Sequence, residues 1–274
     1  MAALPAMLPP ATRTQGVTVE IGGIPILLES SDEAFCGLLA QRYDGFVNPR
    51  TEAAYQFEVQ IVNPTQASDQ DAQVTRHGRL WHIDRGDFHA EFEPSRLRGW
   101  VRQGRNPYAI DTLLRIAHSL VLAEEGGFLL HSASALRNGL AFLFAGVSGA
   151  GKTTISSLAP SDVAVLSDEI SYVRRAGAGY CAFGTPFAGE LARVGENLSA
   201  PVRALFLLEQ GSVHRIDPVD QGRAARALLR HILFFAHDEE LVRRVFDAAL
   251  RFVGHIDVAR LTFARDPGVW ELIR

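Results

Sequence analysis

The eight residues Gly146-Val147-Ser148-Gly149-Ala150-Gly151-Lys152-Thr153 fit the pattern GxxxxGK[ST] at every fixed position. That pattern answers one chemical problem, the holding of a polyphosphate. Gly146, Gly149 and Gly151 let the backbone take conformations that side chains forbid. Successive N–H groups can then turn inward onto phosphate oxygens. Lys152 supplies a compact positive charge to the β- and γ-phosphates of ATP. Thr153 supplies a hydroxyl to Mg²⁺, an ion that takes oxygen ligands. Ser148, Ala150 and Thr154 complete the expected nucleotide-binding set. Apolar Leu140–Ala145 reads as a strand before the loop, and a helix is expected from about Lys152, with its dipole favouring the anion. Of 27 basic residues, Lys152 is the only lysine. An ammonium and a planar guanidinium are not interchangeable at a tight phosphate site.

Phosphoryl transfer needs more than a phosphate cradle. It needs metal positioning and a group that takes the acceptor's proton. Asp168-Glu169 follows the apolar stretch Val163–Leu166. If that strand lies parallel beside the one before the loop, both deliver their ends to one rim. One carboxylate would then hold Mg²⁺ and the other accept a hydroxyl proton. Neighbours on a strand point to opposite faces, so both act only if the chain bends there. His131 stands in Leu129-Leu130-His131-Ser132-Ala133, where a histidine taken alone reads as a core residue.

The order His131, then Gly146–Thr153, then Asp168-Glu169 resembles the catalytic core of the bacterial HPr serine kinase/phosphorylase family. The resemblance covers about residues 128–175, and Ser148 matches the loop serine of that family; Glu169 stands where the family has a second aspartate. It implies an α/β fold with a P-loop kinase core of the HPr kinase/phosphoenolpyruvate carboxykinase type. It implies a kinase acting on a hydroxyl, with serine of a protein or peptide as acceptor. It places His131 near the active site and gives Asp168 the acceptor's proton. Glu169 joins Thr153 as a metal ligand, and Lys152 holds phosphate. It also allows a homo-oligomer, since members of that family form oligomers. A small-molecule kinase on the same core, or a nucleotide-binding switch without transfer, remains the alternative.

The elements that must position these residues are readable in outline. Val17–Ser30 reads as a hairpin about Gly22-Gly23, and Ser30–Glu33 as a cap for a helix to about Tyr43 with Phe35, Leu38 and Leu39 inward. Tyr55–Ile61 alternates as a strand, and 74–103 as further strands turning at His77-Gly78 and Arg85-Gly86-Asp87. Pro107 opens an amphipathic helix that Gly126-Gly127 ends. From Phe128 strands alternate with helices, including two near 220–235 and 238–253. This divides the chain into a flexible tail (1–16), a smaller strand-rich α+β part (17–126) and a P-loop kinase-like domain (127–274). The Gly184–Glu190 stretch is a candidate acceptor loop, with Thr185 or Glu190 as polar contacts.

Composition narrows the function classes. A formal net charge of −4 gives no nucleic-acid footprint. Two distant cysteines, Cys36 and Cys181, build neither a disulfide framework nor a zinc motif, which fits a cytoplasmic protein. The Ala- and Pro-rich start reads as a frayed tail rather than a signal peptide, and no apolar run reaches membrane-spanning length.

Overall fold

The computed structural model describes residues 14–62, 70–187 and 194–274. Among these residues the fold is mixed α/β, with two large sheets and five α-helices. The first sheet collects β1 (Gln15–Ile21), β2 (Ile24–Ser30), β3 (Tyr55–Ile61), β4 (Gln73–His77), β5 (Leu80–Asp84), β6 (Phe88–Glu93) and β7 (Arg98–Gln103), in the order β1-β2-β3-β7-β6-β5-β4. The hairpin β1–β2 closes on Gly22 and Gly23 at φ +63° and +71°, left-handed values that glycine accepts. β1 takes in Gln15 and Gly16, which the sequence reading gave to the tail.

Two helices cover this sheet. Asp32 caps α1 (Glu33–Arg42) by accepting from the Phe35 N–H at 3.0 Å. Phe35, Cys36 and Leu39 face inward; Leu38, expected with them, is exposed because its position points away from the sheet. Asn106 caps α2 (Pro107–Glu125), and Gly126 ends it at φ +78°. α2 is buried along most of its length, Asp111 and His118 included.

The second sheet begins with β8 (Phe128–Arg137) and β9 (Leu140–Ala145). The phosphate-loop stretch follows, then α3 (Lys152–Ser157), β10 (Ala164–Ser167), β11 (Ile170–Ala176), β12 (Gly179–Phe183) and β13 (Ser199–Gln210). β14 (Arg215–Pro218), α4 (Gln221–His231), β15 (Ile232–Leu233), α5 (Glu239–His255) and β16 (Asp257–Phe263) complete it. Pairing runs from β8 through β9, β13, β12 and β11 back to β8, a closed ring. Within it only β9–β13 is parallel. The helix expected over 220–235 stops at His231, because Ile232 and Leu233 pair with Leu130 and Leu129 of β8. α3 spans six residues.

The boundary at 126/127 divides the sheets but not the core. One apolar cluster joins Ile21, Leu113 and Leu120 to Leu129, Ile170 and Tyr172. Arg174 donates to the Gly22 carbonyl at 2.7 Å and pairs with Glu125 at 3.0 Å, tying both sheets together at one edge. Among the described residues, no helix is long and apolar enough to cross a membrane.

Candidate active site

The phosphate-loop stretch lies between β9 and α3. Gly149 takes φ +79° and Gly151 φ +110°, conformations that an L side chain resists. A Cβ on Gly146 would stand 2.6 Å from the Ala150 Cβ, so the loop's two ends meet only because residue 146 has no side chain. Ala150 is buried and packs into the core with Phe144 and Ile155. Lys152 folds back so that its Nζ donates to the Gly146 carbonyl at 3.0 Å, and Gln210 at the end of β13 donates to the Gly149 carbonyl. The loop's outer residues face a cleft of about 770 Å³ lined by Ser148, Gly149, Gly151, Lys152, Thr153 and Thr154.

The opposite wall comes from β8 and the bend between β10 and β11. These two strands form one broken antiparallel run along β8, with a register shift between Val165 and Ser167. The parallel neighbour expected for β9 is therefore not the acidic strand; β9 lies parallel to β13, and β8 separates it from β10. The bend is held from within. Ser167 Oγ accepts from the N–H groups of Glu169 (3.2 Å) and Ile170 (3.0 Å). The Thr185 hydroxyl donates to the Ile170 carbonyl at 2.8 Å. Thr185 is fully buried in this support, so it does not serve the acceptor pocket as expected; Glu190 lies outside the described residues.

The bend separates the acidic pair. Glu169 lines the cleft, and its Oε1 stands 3.3 Å from His131 Nδ1. Asp168 is 4% exposed and does not form part of the cleft wall. Burial lowers the pKa of His131, Lys152 lowers it further, and Glu169 opposes both. The imidazole is thus neutral at neutral pH. Gly146 and Ala150 shape the loop from behind, and the other expected loop residues reach the cleft.

Three lining residues escaped the sequence reading: Arg115, Gln210 and Arg265. Arg115 comes from α2, in the first half of the chain. Its guanidinium sits 4.9 Å from the Phe187 ring, and its Nε is buried without a hydrogen-bond partner. Burial lowers its pKa, with Asp111 and Glu169 opposing. Guanidinium stays charged in proteins. A sequence signal existed: Arg115 interrupts the apolar run Leu113-Leu114-Arg115-Ile116-Ala117 within a buried helix.

The family described as SynChlorMet cassette protein ScmC matches residues 109–273. That is more than half of the chain, and the chain belongs to this family. No curated protein matches it. The match overturns the assignment to the HPr kinase family, which finds no support. The motif order behind that assignment is therefore not specific to one family, since similar residues in similar order recur on distant or unrelated chains. The match begins within α2 and includes Arg115.

Proposed function

We propose that this protein is an ATP-dependent phosphotransferase with a P-loop kinase core, acting on a hydroxyl, with serine of a protein or peptide as the acceptor class. The observation that carries this reading is one cleft with the phosphate-loop residues on one wall and the His131–Glu169 pair on the other. The residues fit an anionic nucleotide. The left-handed φ values of Gly149 and Gly151 support a loop whose N–H groups turn toward an anion, with Lys152 beside it as the compact cation. Thr153 and Glu169 are the oxygen donors on the cleft suited to Mg²⁺. When bound, MgATP supplies the activated phosphoryl group.

The chain's own residues would do the rest. Lys152 and Arg115 offset charge on the transferring group from two sides. His131, kept neutral, holds the Glu169 carboxylate in one orientation through the 3.3 Å contact. Asp168 lies buried at the bend, off the cleft wall, so its role as acceptor of the hydroxyl proton requires the bend to turn it into the cleft when the acceptor binds. The lining residues are glycines and polar or charged side chains. Small-molecule pockets are mostly apolar. A polar cleft that grips phosphate and leaves acceptor recognition to surfaces outside it favours a macromolecule presenting one hydroxyl.

The test is transfer of labelled γ-phosphate from ATP with Mg²⁺. The family is described as a cassette protein, so the panel begins with serine-containing peptides and proteins encoded beside its gene. Label on an acceptor, absent with Asp168→Asn, supports the assignment. Tight ATP binding with neither acceptor labelling nor phosphate release would replace the kinase by a nucleotide-binding switch.

A further inference from the structure

Three of the nine histidines lie close together in sequence, at 77, 82 and 89. Strand alternation places them on one face. In β5–β6 the register sets His82 opposite Glu91 and Asp84 opposite His89. The intervening residues Trp81, Ile83, Phe88, Ala90 and Phe92 are buried on the core side. The histidines and carboxylates therefore share the outer face. His77, paired with Leu80 across β4–β5, stands on that same face, its ring 5.0 Å from the ring of His82.

We propose that His82, His89 and Glu91 form a binding site for a divalent transition-metal ion of the zinc class. Each offers one donor atom, and the three atoms lie within 4.8 Å of one another. Ligands held about 2 Å from one zinc ion stand about 3–3.5 Å apart, so small side-chain rotations close the set. Two imidazole nitrogens and one carboxylate oxygen suit zinc, whereas magnesium and calcium prefer all-oxygen sets.

The surrounding contacts are those a metal site uses. His89 Nδ1 lies 3.2 Å from Asp84 Oδ2, which fixes the ring and leaves Nε2 as the donor. Trp100 donates its indole N–H to Glu91 Oε2 at 2.9 Å, leaving Oε1 toward His82 Nδ1 at 3.4 Å. Glu91 and Asp84 together match the two positive charges of the ion; Arg102 stands opposite His89 on β7. The donors are about one-third exposed, so an ion can enter from solvent without opening the core. Three protein ligands leave one position for water or for His77. The site belongs to the first sheet, and none of its donors lines the phosphate-loop cleft.

The test uses the full chain, stripped with chelator and dialysed against Zn²⁺ or Mg²⁺, with bound metal quantified. The expected result is one zinc ion per chain and no magnesium retained at the histidine cluster. Co²⁺ in its place should give the visible absorption of a four-coordinate nitrogen–oxygen site. His82→Gln and His89→Gln should each weaken zinc binding at least tenfold, and Asp84→Asn by roughly 10–100-fold. These side chains face outward, so circular dichroism should show all three variants folded. A chain that retains no zinc overturns the proposal. So does zinc retained with unchanged affinity in the His82→Gln/His89→Gln double variant, which would place the ion elsewhere.

Discussion

His131 Nδ1 on β8 and Glu169 Oε1, in the bend just before β11, stand 3.3 Å apart, one residue off the paired His131 and Ile170. The contact exists because the chain bends at Ser167–Glu169, turning Glu169 to the cleft while Asp168 stays buried. Under the proposed function, this geometry gives the two adjacent carboxylates separate roles. Asp168→Asn is expected to keep ATP affinity and lose transfer about 10²–10⁴-fold, the loss usual for a general base. Glu169→Gln should instead raise the Mg²⁺ concentration needed for half-maximal rate. If Glu169→Gln abolishes transfer at saturating Mg²⁺ and Asp168→Asn does not, the two assignments are reversed.

Lys152 reaches back to the Gly146 carbonyl at 3.0 Å, which holds the ammonium over the cradle. Lys152→Ala should weaken ATP binding at least tenfold, measured by calorimetry. Lys152→Arg tests the lone lysine more sharply. A planar fork in the space of an ammonium should recover little of the loss. Wild-type affinity and rate in Lys152→Arg would mean that its singularity among 27 basic residues carries no chemistry.

How much of this was open to sequence reading follows from distance along the chain. The cradle is local: the residues from Gly146 to Thr153 and their glycine conformations are set by one short segment. Most strands were legible for the same reason, through period-two alternation and glycine turns. The closeness of His131 and Glu169 depends instead on a register shift in β10–β8, and alternation alone does not encode a shift. The expected parallel neighbour failed at this point, since the loop's strand pairs in parallel with β13, far later in sequence. Arg115 of α2, Gln210 at the end of β13 and Arg265 in the bend after β16 are separated by many residues, so only the tertiary fold assembles them.

Arg115 provides the third expectation. A charged guanidinium held against Phe187 with Nε unpartnered would, under the proposed function, meet an anion without further desolvation. Arg115→Ala should lower the rate of transfer more than ATP affinity, by roughly 10–10³-fold if the group acts mainly on the developing phosphoryl charge. Arg115→Lys should restore charge without the planar geometry and recover only part. Equal losses in affinity and rate would make Arg115 a ground-state contact only.

Gly151 is held at φ +110°, and a Cβ there would meet the Phe263 ring at 2.7 Å. Gly151→Ala must therefore move the loop or the ring, at a strain of about 1–3 kcal/mol. ATP affinity should fall, because the N–H groups of the cradle move with residue 151. Gly139→Ala is the control: its φ is +76° but it has open space around it, and it lies in the β8–β9 turn. That variant should lose comparable stability and keep ATP affinity. Loss of affinity in both would show that global destabilisation, not cradle geometry, was being measured.

His118 gives a pH dependence that is independent of the cleft. It is fully buried on α2, with Nδ1 3.1 Å from the Tyr172 hydroxyl and Nε2 without a partner. Burial, reinforced by Arg174, lowers its pKa to about 3. The unfolded chain takes up this proton near the ordinary value of about 6.5, so the unfolded state binds more protons throughout the interval. Stability from this group is therefore complete above about pH 6.5 and lost as pH falls toward about 3, by up to ~1.4 kcal/mol per pH unit. Between pH 6.5 and 5 the loss approaches ~2 kcal/mol. His118→Asn keeps a polar atom for the Tyr172 hydroxyl and does not titrate. Denaturant unfolding at the two pH values should show the variant losing less stability on acidification than wild type, by about that amount. Parallel losses in the two proteins would mean that the folded chain protonates His118 as readily as the unfolded one, and that α2 opens to water at that position.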